Sequence, residues 1–119
     1  MIGRLIAILF FAREVAHREH LKTTSYAQHV ALNEFYDAII ERADAIAEAY
    51  QGRNGIIDDI PMITMDLSGD PASKLEKILS AFEKIRYTAV EKTDTTIQNL
   101  IDEAVAQFLS TLYKLNNLK

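Results

Sequence analysis

Residues 52–71 interrupt two long helical halves, and that break constrains the fold more than any other feature. The segment from Gly52 to Pro71 holds three of the four glycines and both prolines. Both residue types disfavour helix, glycine through its backbone freedom and proline through its missing N–H. Yet its middle reads Ile60-Pro61-Met62-Ile63-Thr64-Met65, too apolar for a free linker. Adjacent antiparallel helices commonly need only about two to eight connecting residues. At ~3.3 Å per extended residue, this connection is long enough to travel the whole length of a helical bundle.

On either side the pattern is helical. A first helix is predicted over about 2–21, carrying Ile6, Phe10 (or Leu9) and Ala16 inward, and Thr23-Thr24-Ser25 closes it. Ser25 suits the cap of a second helix over about 26–51, since its hydroxyl can accept an orphan amide of the first turn. There Leu32, Phe35, Ile39, Ala43, Ile46 and Tyr50 recur at helical spacing, with Gly52 as a natural stop. After the crossover, 52–70, Asp70-Pro71 supplies a cap and a first-turn proline for a third helix over about 71–90. Leu75, Ile78, Leu79, Phe82, Ile85 and Ala89 would be its buried face. A corner at 91–95 leads to a fourth helix over about 95–116, with Ile97, Leu100, Ile101, Ala104, Phe108, Leu112 and Leu115 inward. The expectation is one all-α domain, 1–119, built as a four-helix bundle.

The apolar start, Ile2 to Ala12, could be mistaken for a leader. The charged Arg13-Glu14 follows at once with no small-residue cleavage site, so it reads as the buried part of the first helix. No stretch approaches the ~20 apolar residues of a membrane span, and cytoplasmic location is the expectation. There is no cysteine, which removes disulfides and thiolate ligands. Net charge is −4, and no Lys/Arg cluster stands out as the basic face that gripping phosphate backbones requires. A nucleic-acid partner is therefore disfavoured.

Four side chains carry metal-ligand chemistry: His17, His29, Asp44 and Glu48. Asp44 and Glu48 stand four apart and project side by side from one helical face. His17 and His29 bracket the first helix–loop–helix corner and can converge. The two pairs cannot meet within one chain, because fifteen residues of helix separate His29 from Asp44, roughly 22 Å at ~1.5 Å per residue. If the four act together, the histidines of one subunit face the carboxylates of another, as in a two-fold dimer. Imidazole and carboxylate together favour iron, zinc or manganese. His20, three residues after His17, could share the ligand role or stand outside it as a surface or supporting residue. The spacing also lets Glu14 orient the His17 ring.

The intervals from His17 to His29, to Asp44 and to Glu48 resemble the ferroxidase signature of the miniferritins, the Dps family. His29-Val-Ala-Leu-Asn-Glu-Phe35 and Asp44-Ala-Ile-Ala-Glu48 are similar to that family's second helix. Thr95-Thr96 followed by Leu100-Ile101-Asp102-Glu103 resembles, more loosely, the start of its last helix. The resemblance implies a ferritin-like bundle with its long crossover between helices two and three. It further implies iron held by His17 and His29 of one chain and Asp44 and Glu48 of its mate, with Glu48 as the shared carboxylate. The activity implied is ferroxidase: oxidation of ferrous iron by peroxide or oxygen, with mineral deposited in a twelve-subunit cage. The chain departs from the family at Arg18, where it usually has Trp, and at Lys22, where it has Gly. With the first helix predicted from the start of the sequence, the lysine-rich leading tail of the DNA-binding members is not expected. Those departures suit a second reading, a dimeric four-helix interaction protein whose metal site is vestigial or structural.

Overall fold

The computed structural model describes residues 1–119 and contains four helices and no strand: α1 (Ile2–Lys22), α2 (Tyr26–Asn54), α3 (Pro71–Ala89) and α4 (Thr95–Asn117). The helices stand at the corners of a square. α1 packs on α2 and α3, and α4 packs on α2 and α3, with no diagonal contact. No helix is long and apolar enough to cross a membrane.

Side-chain bridges fix the direction of each helix. Glu19 near the end of α1 meets Lys74 at the start of α3 (2.7 Å). Arg53 near the end of α2 meets Asp94 at the start of α4 (2.9 Å), and Lys114 near the end of α4 meets Glu34 early in α2 (2.7 Å). Neighbours are thus antiparallel throughout, while α2 and α3, on opposite corners, run the same way. A chain leaving the end of α2 must therefore return along the bundle before α3 can begin, and residues 55–70 make that journey across α1. At its beginning the segment lies against Gly3, where a β-carbon would overlap the Asp59 carbonyl oxygen. Farther on, Ile60, Ile63, Met65 and Leu67 pack on the core.

The caps follow from local chemistry. Ser25 Oγ accepts the Gln28 amide (3.3 Å), and Asp70 Oδ1 accepts the Ser73 amide (2.8 Å) with Pro71 behind it. That amide holds the Asp70 carboxyl below its ordinary value, since it bonds the ionised form. Asp94 caps α4 through the Ile97 amide (3.3 Å). α2 does not stop at Gly52. It continues to Asn54 and ends at Gly55, whose φ of 93° is the left-handed conformation that only glycine adopts cheaply. Gln51 completes this stop by accepting the Gly55 amide on its carbonyl (2.9 Å) and the Ile57 amide on its side chain (3.1 Å).

At the centre lie Phe35, Phe82 and Phe108, fully buried, with Phe35 edge-on to Phe108 at 4.9 Å. Each such side chain contributes on the order of 1.5–3 kcal/mol of burial. Leu9 rather than Phe10 turns inward on α1: Leu9 is buried and Phe10 is exposed. Tyr50, Ile85, Ala89, Leu100 and Leu115 are only half-buried at the edge of the core.

Two buried polar groups tie helix ends together. Arg86 donates from Nε to Gln98 Oε1 (3.0 Å), and from Nη2 to the Gln98 carbonyl (3.0 Å) and Asp102 Oδ1 (2.7 Å). Gln98 in turn donates to the Val90 and Glu91 carbonyls at 3.0 and 3.3 Å. At the other end Glu19 is buried between Lys74 (2.7 Å) and Lys22 (3.3 Å). Burial raises its carboxyl's pKa, but the hydrogen bonds and charges of Lys74 and Lys22 together outweigh that and hold it below the ordinary value.

Candidate functional site

All three histidines of the chain gather at the α1–α2 corner. His17 and His20 stand one turn apart on α1, and His29 lies in the opening turns of α2. The connection 23–25 is so short that the two helix ends oppose each other directly. His20 and His29 stack with ring centroids 3.7 Å apart, and each bonds the other's backbone. Nδ1 of His20 lies 2.7 Å from the His29 carbonyl oxygen, and Nδ1 of His29 lies 2.9 Å from the His20 carbonyl oxygen.

A carbonyl oxygen can only accept, so both Nδ1 atoms carry the proton. In the neutral rings Nε2 then bears the free lone pair. The His20 carbonyl belongs to the last turn of α1, whose oxygens have no intrahelical amide to accept, so the His29 ring also caps that helix. Imidazoles that bind metals almost always have their other nitrogen held by a carbonyl or carboxylate in this way.

His17 is half-buried and stacks on Tyr36 at 4.4 Å, with His20 6.1 Å away. Tyr36 also meets His20 edge-on at 5.3 Å and donates its hydroxyl to Asn33 Oδ1 (2.8 Å). Glu14 does not orient His17. It is taken by Arg18 one turn on (3.0 Å), a stronger attraction for a carboxylate than a neutral ring. His20 is buried and cross-bonded rather than superficial, and Tyr36 joins the cluster as a platform for two rings. The sequence held one signal for the His20 pairing: nine residues separate it from His29 across a three-residue connection.

Asp44 and Glu48 stand farther along α2, exposed on its outer flank. Neither takes part in any ion pair of the chain. Because they are solvated, they need no compensating cation within the chain. Within one chain no three histidine or acidic side chains come together as a metal-holding group. The single chain therefore keeps the imidazoles at one end of α2 and the two carboxylates towards the other, as separate groups.

One family model matches residues 20–115, that of a family of unknown function, DUF5856. It takes in His20, His29, Asp44 and Glu48. No curated protein and no solved structure matches the chain.

Proposed function

We propose that this chain, a member of the DUF5856 family of unknown function, is a miniferritin-like iron-binding protein. Ferrous iron is its substrate and is oxidised to ferric iron, the electron passing to peroxide or oxygen. His17 and His29 of one chain and Asp44 and Glu48 of a two-fold mate are the ligands, with Glu48 shared between ions. Zinc or manganese fits the same donor set. The antiparallel square, with its full-length crossing from α2 to α3, supports reading the fold as ferritin-like. We propose a dimer as the working unit, a dodecameric cage as the larger assembly, and the cytoplasm as its location.

The observation that carries this reading is the His29 ring: the His20 carbonyl fixes its tautomer at 2.9 Å and leaves Nε2 as the donor. Asp44 and Glu48 support it as exposed carboxylates with no cation of their own. The test is anaerobic titration with ferrous iron followed by peroxide, read as growth of ferric absorbance. Asp44→Ala or Glu48→Ala abolishes rapid oxidation while the helical circular dichroism stays intact. Equal rates in variant and parent remove the site assignment.

A second reading has its own observation. The reciprocal His20–His29 bonds already give two of the three histidines a structural task. On that reading the protein is a dimeric four-helix interaction protein whose metal site is vestigial or structural, and iron is not oxidised there.

A further inference from the structure

The three imidazoles of the α1–α2 corner are not held alike. His20 and His29 each have Nδ1 fixed by a carbonyl oxygen, at 2.7 and 2.9 Å. Neither ring nitrogen of His17 bonds anything in the chain. A ligating imidazole almost always has its second nitrogen held by a carbonyl or carboxylate, which sets its orientation and its tautomer. Glu14, one turn before His17, is taken by Arg18 instead (3.0 Å). His17 lacks the usual device, so something else must fix its ring if it is to meet a metal in one geometry.

What touches that ring is Tyr36. The two planes lie 24° apart with centroids at 4.4 Å, a stacked pair, whereas His20 is farther off at 6.1 Å and tilted by 54°. Tyr36 is itself kept from swinging. Its hydroxyl donates to Asn33 Oδ1 (2.8 Å), and Asn33 Nδ2 donates to Asp37 Oδ2 (3.0 Å), all three residues lying along α2. An amide offers acceptors on one side and donors on the other, so the two bonds together fix which way Asn33 faces. The Tyr36 ring also meets His20 edge-on at 5.3 Å. It is thus gripped at its hydroxyl and against His20, and one face is given to His17. Metal bonds lie in the plane of an imidazole, so a stack can hold that plane without covering either nitrogen.

We propose that Tyr36 is the positioning residue for His17, latched by Asn33 and Asp37. The corner then has one ligand fixed by a backbone carbonyl, His29, and one fixed by an aromatic face, His17. That His17 binds iron rests on the reading above; the hold of Tyr36 on its ring does not.

The experiment has two arms on the full chain, for the parent, Tyr36→Phe, Tyr36→Leu and Asn33→Ala. The first, without metal, follows the His17 ring protons by NMR at one pH, assigned by their loss in His17→Ala. The Tyr36 face should hold them upfield. Tyr36→Leu should release that shift, Tyr36→Phe should keep most of it, and Asn33→Ala should fall between. His29, which stacks on His20 and not on Tyr36, is the internal control. The second arm measures oxidation by peroxide over a range of ferrous concentrations. Tyr36→Leu is expected to raise the half-saturating concentration about tenfold, the low end of what losing a ligand's supporting partner costs. The maximal rate should change less, and Tyr36→Phe should stay near the parent. Unchanged His17 signals in Tyr36→Leu overturn the proposal. So does Tyr36→Phe behaving like Tyr36→Leu, since the face would then not be what holds the ring. Asn33→Ala matching the parent in both arms overturns the latch. Parental oxidation in Tyr36→Leu after the His17 shift is lost overturns the positioning role too. A parent that oxidises no iron removes the iron reading alone, and the first arm then decides whether Tyr36 holds His17.

Discussion

The two corners of this bundle solve the same problem with different chemistry. At the α3–α4 corner, Arg86 and Gln98 spend their hydrogen-bonding groups on each other, on Asp102 and on backbone carbonyls. At the α1–α2 corner, two imidazoles each spend one nitrogen on a carbonyl and keep the other. The first corner is a closed network, all cohesion. The second ties the helices through one nitrogen of each ring and leaves the other without a partner in the chain, which is what the proposed iron site draws on.

Stability measurements can break that contrast. Arg86→Met strands Gln98 and the carbonyls that it organises, and should cost roughly 3 kcal/mol in chemical denaturation, with no effect on metal binding. His20→Ala removes one imidazole–carbonyl bond and opens the other, and should cost less, about 1–2 kcal/mol. Equal costs at the two corners would contradict the distinction between a closed and an open network.

Glu19 sharpens the comparison from the α1 end. Its native pKa is held below the ordinary value. Its contribution is therefore fully present above the ordinary carboxylate range, about pH 4–5, and fades as pH falls through the native value. Glu19→Gln should be clearly less stable than the parent at neutral pH, and the two denaturation midpoints should converge in acid. A difference that persists unchanged at low pH would mean that packing, not the Lys74 and Lys22 charges, holds this end.

The helices were legible because their apolar residues recur at helical spacing and because Ser25 and Asp70 are cap residues with one evident task. The stop at Gly55 was not, since Gly52 is as good a breaker locally. Gln51, which closes the helix end through both its carbonyl and its side chain, decides between them only in three dimensions. Nor could spacing choose Leu9 over Phe10, as neighbouring apolar residues differ only by which faces the bundle axis. The side to which Phe10 turns is set by the crossover and α2 beside it. At the site, the interval from His17 to His29 was readable as a corner of imidazoles. The mutual capping of His20 and His29 was hidden, because it depends on backbone carbonyls that every residue carries alike.

The most direct test of shared ligation is to mix His17→Ala chains with Glu48→Ala chains, each inactive alone, and to follow ferric absorbance after peroxide. In every mixed dimer one of the two sites keeps both its histidines and both its carboxylates, so oxidation should reappear. Mixed dimers shown to form, yet inert towards ferrous iron, would contradict ligands drawn from two chains.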